Sequence, residues 1–209
     1  MLKYYWTVGQ AANVEIVVKK SRFIAFLCPV KDEDEAVNFI NQIKSRHKDA
    51  THNVPAFIVG IEQRKQRCSD DGEPSGTAGL PVLDVLKRNE LTNVAVVVTR
   101  YFGGFKLGKG GLIRAYSQAA QQGIAAARKQ LMTLYVELSV KTDYSWIGII
   151  ERETGQLNCL KGKDKFLELV TLNYYVPIEQ REMLHKRIIN ATNDGVDLYW
   201  GDVRYLHNH

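Results

Sequence analysis

The chain has 209 residues, of which 45% are hydrophobic and 24% are charged. These fractions are ordinary for a folded globular protein, and they exclude an intrinsically disordered or fibrous chain. Lys and Arg number 28 against 23 Asp and Glu, and the formal net charge of +5 favours an acidic partner. At roughly 100–200 residues per domain, the length suits two small domains or one large one and excludes a large multi-domain assembly.

The positive charge is concentrated in one part of the chain. Residues 1–131 hold 19 Lys and Arg against 12 Asp and Glu, a net charge of +7, whereas residues 132–209 hold 9 against 11, a net charge of −2. A surface that binds a polyanion is therefore expected in the first part. The alternative is the mildly basic surface that many cytosolic proteins have.

The cysteines and the apolar segments indicate the compartment. Cys28, Cys68 and Cys159 are odd in number, widely spaced and without a CxxC pair or a neighbouring His cluster. This usage argues for a reducing cytosol and against a disulfide framework or structural zinc. No apolar run approaches the ~18 residues of a membrane span, and the N-terminus lacks the apolar stretch of a signal peptide. We expect a cytoplasmic protein with no membrane association, no metal and no cofactor.

Hydrophobic periodicity predicts alternating strands and helices in the first part of the chain. In order, the predicted elements are strands at 15–18 and 23–28, a helix at 34–47, a strand at 56–61, a helix at 80–86, a strand at 94–99 and a helix at 112–127. The strand at 94–99 is a continuous apolar and β-branched run, which is typical of a strand buried on both faces. The polar segment at 62–77 is too long for a tight hairpin, so it is a place to look for function.

The pattern restarts near residues 129–133. The predicted elements are then a strand at 135–141, a helix at 144–154, a short strand around Cys159, a strand at 166–176, a helix at 179–193 and a strand at 196–206. The order βαββαβ is the split motif of ferredoxin-like folds. We therefore predict an α+β protein with two domains, residues 1–131 and residues 132–209.

Residues 69–81, with the sequence SDDGEPSGTAGLP, combine glycines, prolines, acids and hydroxyls within the polar segment. Ser75 or Thr77 is expected to cap the helix that follows. One functional interpretation is a loop whose amides and hydroxyls hold an anion at that helix start, and another is a divalent cation held by acids such as Asp70 and Asp71. The structural alternative is a rigid surface loop that packs against its own domain.

A second glycine-rich segment, residues 99–116, leaves the buried strand and enters a helix, a context in which such turns cradle phosphates. Its spacing matches neither GxxxxGK[ST] nor GxGxxG, so the usual nucleotide-binding loops are excluded. What remains is a basic, aromatic and flexible platform in which cations can meet phosphates and aromatic rings can stack on bases. The cations are Arg100, Lys106, Lys109 and Arg114, the aromatic residues are Tyr101, Phe102 and Phe105, and the glycines include Gly103, Gly104, Gly110 and Gly111. In the structural alternative, Phe102 and Tyr116 belong to the core and the glycines permit tight strand-to-helix packing.

Catalytic patterns are weak in this sequence. Cys68 lacks a histidine placed by any sequence logic, and the first domain has only His47 and His52. His52 precedes a strand, where it could be a ligand, a base or a capping polar group. We therefore predict no catalytic residues.

Four motifs resemble the YigZ/IMPACT family: KSRF at 20–23, ATHN at 50–53, SDDGEPSGTAGLP at 69–81 and VVVTRYFGGFKLGKGGLIRAY at 96–116. Their order and spacing cover about the first 130 residues. The family motif maps onto Arg100, Tyr101, Phe102, Gly103, Gly104, Leu107, Gly108, Gly110, Gly111 and Arg114. Val54 stands where some relatives are expected to have Cys, which weakens any thiol mechanism at that position.

The resemblance implies an N-terminal ribosomal-protein-like domain, with the β-α fold that also underlies GHMP kinases, and a C-terminal domain similar to the last domain of elongation factor G. Eukaryotic relatives look like translational regulators that act through protein partners on a stress kinase pathway. The leading hypothesis is a non-enzymatic, translation-associated protein that binds RNA, the ribosome or a translation-related protein through residues 99–116. The alternatives are an enzyme, a hydrolase or transferase, that binds a small anion with the loops at 69–79 and 103–114, and a pure protein-interaction module. The oligomeric state is not defined by the sequence.

Overall fold

A computed structural model describes residues 2–63 and 65–207 of the chain. The chain divides into two compact units, one formed by Tyr5–Leu131 and the other by residues 132–207 together with residues 2–4. Each unit has an antiparallel sheet, helices and a hydrophobic core of its own. The predicted mixture of helices and strands is confirmed.

The first unit is built on a five-stranded sheet. The elements are β1 (Tyr4–Val8), β2 (Ala12–Val18), β3 (Ser21–Pro29), α1 (Glu33–Arg46), β4 (His52–Val59), β5 (Lys65–Cys68), α2 (Gly79–Arg88), β6 (Val94–Tyr101) and α3 (Gly108–Ala127). The strand order is β2-β3-β6-β4-β5, and each neighbouring pair is antiparallel.

Strand β6 lies at the centre of this sheet and is buried on both faces, as its continuous apolar run predicts. Helix α1 covers one face, where its buried Ile40 and Ile43 pack with Val97. Helices α2 and α3 cover the other face, and a Cβ at Gly123 would lie 2.2 Å from Leu27, so α3 approaches the sheet closely. This packing fixes the end of β6 and the start of α3, between which the second glycine-rich segment runs.

The second unit has helices on one face of its sheet. The elements are β7 (Lys129–Thr142), α4 (Ile147–Gly155), β8 (Leu160–Lys161), β9 (Lys165–Phe166), β10 (Val170–Pro177), α5 (Arg181–Thr192) and β11 (Asp197–His207). In this six-stranded sheet β7 pairs with β1, β10 and β11, and β10 also pairs with β8 and β9. Helix α5 ends at Asn193, which adopts a left-handed backbone conformation, as the Asn-Asp-Gly sequence there predicts.

The structure corrects several sequence-based expectations. The polar segment 62–77 contains β5, whose residues pair with β4 from Ala56 to Val59, so part of the segment belongs to a hairpin. Strand β1 has no counterpart in the prediction, α3 begins at Gly108 instead of residue 112, and the predicted strand 166–176 is interrupted between β9 and β10. The short or polar strands β1, β5 and β9 gain their structure from sheet pairing, which local periodicity does not report. Within the part of the chain that the structure describes, no helix combines the length and apolar character needed to cross a membrane.

Candidate functional site

The segment from residue 69 to residue 78, between β5 and α2, folds around the side chain of Asp70, and we call it the Asp70 loop. The Asp70 carboxylate accepts hydrogen bonds from the backbone N–H groups of Gly76 (2.8 Å), Ala78 (3.0 Å) and Gly79 (2.8 Å). A carboxylate in this position offsets the positive end of the α2 dipole. The amides at this helix start therefore hold an anion, and that anion is the chain's own Asp70.

The environment of Asp70 keeps it ionised. Burial alone would raise the pKa of Asp70, but the three backbone donors outweigh burial and hold the pKa below the usual value of an aspartate. The expectation that Ser75 or Thr77 caps α2 is wrong. The Thr77 hydroxyl donates to the carbonyl oxygen of Pro74 (2.6 Å), Ser75 is exposed, and α2 has no side-chain cap at its N-cap position.

Asp71 ties the Asp70 loop to β4 and α1. Its carboxylate accepts hydrogen bonds from Lys44 Nζ (2.6 Å) and from the backbone N–H of Asn53 (2.7 Å). Its carbonyl oxygen accepts from Nδ1 of His52 (2.8 Å), so Nδ1 carries a proton. Asp70 and Asp71 are both satisfied within the fold, and no group of three or more His, Cys, Asp or Glu among residues 2–63 and 65–207 is arranged to hold a metal ion.

A cluster of four side chains is centred on Glu73 of the Asp70 loop. The other members are Arg100, Tyr116 and His52, and we call the four residues the buried cluster. Glu73 Oε1 accepts from an Arg100 terminal nitrogen (2.6 Å) and from the Tyr116 hydroxyl (2.7 Å), while His52 Nε2 lies 3.8 Å from Glu73 Oε2. Glu73 is 8% exposed and Arg100 is 5% exposed. Burial, together with the hydrogen bond to Glu73, raises the pKa of Tyr116 far above its usual value, so its hydroxyl remains a donor.

Arg100 is buried, whereas a side chain that contacts a phosphate must reach the surface. Its guanidinium lies 5.4 Å from the ring centroids of both Phe23 and Phe102. Its charge is paired with Glu73, and its Nε is buried without a hydrogen-bond partner among the described residues. Arg100 therefore joins the loop to the core and is not presented to a polyanion at the surface.

Residues 102–107, which connect β6 to α3, form what we call the aromatic-basic loop. Phe102 is 48% exposed and Phe105 is 53% exposed. The structural alternative places Phe102 and Tyr116 in the core, and of these two residues only Tyr116 is buried. Lys106 is exposed, as are Lys109 and Arg114 of α3. Among the described residues, none of these three cations forms an ion pair.

The backbone of the aromatic-basic loop is held by two hydroxyl groups. The N–H of Phe102 donates to Thr51 Oγ1 (3.0 Å), and the N–H of Gly103 donates to Ser21 Oγ (3.1 Å). A Cβ at Gly103 would lie 2.0 Å from the backbone of Lys20, so this close crossing requires glycine. Lys20 Nζ in turn lies 5.1 Å from the ring centroid of Phe105.

The remaining predicted binding residues have distinct positions. The Tyr101 hydroxyl lies 2.8 Å from His47 Nδ1 at the end of α1, and Arg22 lies 5.3 Å from the Tyr101 ring centroid. Gly104 has a φ of +87°, which glycine adopts without strain. Gly110 and Gly111 lie in the first turn of α3, which contains no acidic residue and no side-chain cap.

Several residues that matter to this site are absent from the sequence prediction. Glu73 is the central acceptor of the buried cluster, and Thr51 and Ser21 hold the aromatic-basic loop. Asn53 accepts a hydrogen bond from Thr99 (2.7 Å), which joins β4 to β6. The SDDGEPSGTAG motif contains Glu73, but the motif alone does not indicate that Glu73 is the acid that becomes buried. The partners of Glu73 are Arg100 and Tyr116, which are distant in sequence.

Comparisons with known proteins agree with the motifs. Residues 19–124 match the Impact N-terminal domain. The chain is 42% identical over 209 residues to the IMPACT family member YvyE of Bacillus subtilis, covering 99% of this chain and 95% of that protein. It is 37% identical over 150 residues to the IMPACT family member YigZ of Escherichia coli, covering 70% of this chain and 74% of that protein.

A solved structure described as the crystal structure of a hypothetical protein is similar over 95% of this chain and 97% of its own, with a TM-score of 0.62 and 28% identity. The human Protein IMPACT matches over 101 residues at 33% identity, which is 46% of this chain and 31% of the human protein. The match to bacterial relatives over most of their length and the domain match across residues 19–124 lead to one conclusion. The chain belongs to the IMPACT family.

Proposed function

We propose that this protein is a non-enzymatic, translation-associated protein of the cytoplasm that binds single-stranded RNA through the aromatic-basic loop. The observation that carries the proposal is the exposure of Phe102 and Phe105 beside cations that have no acidic partner among the described residues. A large apolar side chain in water costs free energy, so two of them on one short loop favour an aromatic or apolar ligand.

The chemistry of the loop fits RNA because it offers both of the contacts that sequence-tolerant binding uses. Phe102 and Phe105 offer faces on which bases stack, and the Lys and Arg side chains of the loop and α3 can neutralise phosphates. The first turn of α3 adds backbone N–H groups and a dipole that no acidic side chain of that turn offsets. The net charge of +7 in residues 1–131 supplies the longer-range attraction.

The translation-related part of the proposal is supported by the family. The resemblance to IMPACT proteins implies a role in translational regulation, which in the eukaryotic members runs through protein partners. A ribosomal complex presents both RNA and protein. We propose RNA as the direct contact because the loop pairs cations with aromatic rings.

We also propose a fold assignment for each of the two units. The β11-β7-β10-β8 order of the second unit and its α4 and α5 crossovers support a ferredoxin-like domain akin to the last domain of elongation factor G. The five-stranded sheet of the first unit, with helices on both faces, supports a ribosomal-protein-like domain of the kind that also underlies GHMP kinases.

A small-anion enzyme has less support. The three amides at the start of α2 are taken by Asp70, and Arg100 is taken by Glu73. Two of the groups that this alternative would use on a substrate phosphate therefore already have partners inside the protein, which leaves it only the start of α3 and the exposed Arg114.

The test is a fluorescence anisotropy titration of labelled single-stranded RNA at several salt concentrations. Lys106→Gln with Lys109→Gln should weaken binding and lower the magnitude of the salt slope by about 1.4, since each lost phosphate contact on a single strand is worth about 0.7. The matched control is Lys31→Gln with Lys186→Gln, two exposed lysines outside the aromatic-basic loop and α3, one before α1 and one on α5. An unchanged slope in the first variant, or the same decrease in the control, would contradict the proposal.

A further inference from the structure

The sheet of the second unit has one covered face and one open face. Along β7, Val136, Leu138 and Val140 are buried with Leu184 and Ile188 of α5. Successive side chains of a strand point to opposite faces, so the positions between them point away from the helices. We use the term open sheet face for Glu137, Ser139, Lys141 and the residues paired with them.

The strand register places specific side chains in rows on this face. Ser139 is opposite Tyr199 of β11 on one side and Asn173 of β10 on the other. The next row joins Lys141 to Asp197 and Thr171. Directly paired residues share a face, so these rows form one continuous polar surface across three strands.

Two groups on the open sheet face can stack on bases. Tyr199 is 58% exposed. The guanidinium of Arg204 lies 5.5 Å from the ring centroid of Tyr175 and is ion-paired with Glu137, so two contacts hold it on this face. Tyrosine rings and guanidinium planes are the side-chain groups on which unstacked RNA bases are bound.

The charges on this face differ from those of the unit as a whole. Residues 132–209 carry a net charge of −2. The open face nevertheless presents Lys141, Lys165 opposite Thr171, and Arg204, against Glu137 and Asp197. A depression of about 560 Å³ in the same region is lined by Lys163, Ser139, Asn173 and Tyr175, among others. Cationic side chains therefore lie on the same face as the stacking groups, although Arg204 is paired with Glu137 and Lys141 is opposite Asp197.

We propose that the open sheet face is a second binding surface for single-stranded RNA, separate from the aromatic-basic loop. Bases stack on Tyr199 and on the Arg204 plane, while Lys141 and Lys163 contact phosphates. A flat sheet suits a single strand because splayed bases can lie on it, whereas a base-paired duplex hides its base faces. This inference rests on the proposed function, because it assigns the same ligand to a second surface.

The experiment combines affinity with crosslinking on the full chain. Tyr199→Ala should weaken binding of labelled single-stranded RNA about five-fold or more, since loss of one base stack is worth at least that factor. Tyr199→Phe, which keeps the ring, should bind as the parent does. The matched control is Tyr144→Ala, which removes a tyrosine of similar exposure (55%) in the short turn before α4, where its hydroxyl donates to the carbonyl oxygen of Leu167. Thermal unfolding confirms that each variant is folded.

Photocrosslinking of the bound RNA, with mapping of the modified peptides, separates the two surfaces. Crosslinks in β11 or β10, together with the Tyr199→Ala loss, support the inference. If Tyr199→Ala binds as tightly as Tyr144→Ala and crosslinks occur only in the aromatic-basic loop, the inference is overturned while the proposed function stands. If crosslinks occur only on the open sheet face, the inference stands and the proposed loop contact fails. If the parent does not bind RNA, both are overturned.

Discussion

The Asp70 loop and the aromatic-basic loop are both glycine-rich, both lie in the first unit, and both lead into a helix, yet they use their side chains in opposite ways. In the Asp70 loop, the carboxylates of Asp70, Asp71 and Glu73 all turn to partners within the protein. In the aromatic-basic loop, Phe102 and Phe105 face solvent. Each loop contains two glycines, yet the side chains of one loop face partners within the protein and the phenylalanines of the other face solvent.

The difference lies in where each segment finds its partners. Three backbone N–H groups surround Asp70, and two donors reach Glu73, so the chain satisfies its own acids. The backbone of the aromatic-basic loop is satisfied by Thr51 and Ser21, but about half of each phenylalanine side chain and Lys106 remain exposed to solvent. Substitutions in the first segment should change stability, and substitutions in the second should change binding.

The largest expected effect comes from breaking the buried cluster. Arg100→Met removes the cation and leaves the Glu73 carboxylate buried with one donor fewer, which should lower the free energy of unfolding by about 3–5 kcal/mol. Urea denaturation monitored by circular dichroism measures this loss. The matched control is Arg22→Met, because Arg22 pairs with Glu15 through two hydrogen bonds of 2.8 Å at an exposed position. If both variants lose the same free energy of unfolding, burial of the Arg100–Glu73 pair does not account for the loss.

A smaller effect is expected at Asp70. Asp70→Ala removes the acceptor of three backbone N–H groups and should lower the free energy of unfolding by about 0.5–2 kcal/mol, as for loss of other helix caps. The folded-state pKa of Asp70 lies below its usual value. Its contribution is therefore present above the usual value of about 3.9 and is lost as the pH falls through the folded-state pKa.

The pH dependence of the free energy of unfolding distinguishes the charge of Asp70 from its role as a hydrogen-bond acceptor. Asp70→Asn keeps an oxygen acceptor without a titratable charge, so its stability should fall less steeply than that of the parent as the pH decreases from about 5 to 2. The measurement is the free energy of unfolding at a series of pH values for both proteins. Parallel curves would show that Asp70 contributes no charge-dependent stability.

The contrast between the two loops also explains what could be predicted from the sequence. Helix α1 and strand β6 follow from local patterns, because apolar spacing and β-branched runs report the face that each element buries. The exposure of Phe102 and the burial of Arg100 could not be predicted in this way. They depend on Glu73, Thr51 and Ser21, which lie between 27 and 82 residues away from their partners along the chain.

The central claim is that the aromatic-basic loop binds RNA without supporting the fold, and the double variant Phe102→Ala with Phe105→Ala tests it most directly. We predict that its affinity for single-stranded RNA, measured by anisotropy, falls by about 1–3 kcal/mol for each stacked base lost, while its urea midpoint stays close to that of the parent. Unchanged RNA affinity in a folded variant would contradict the claim.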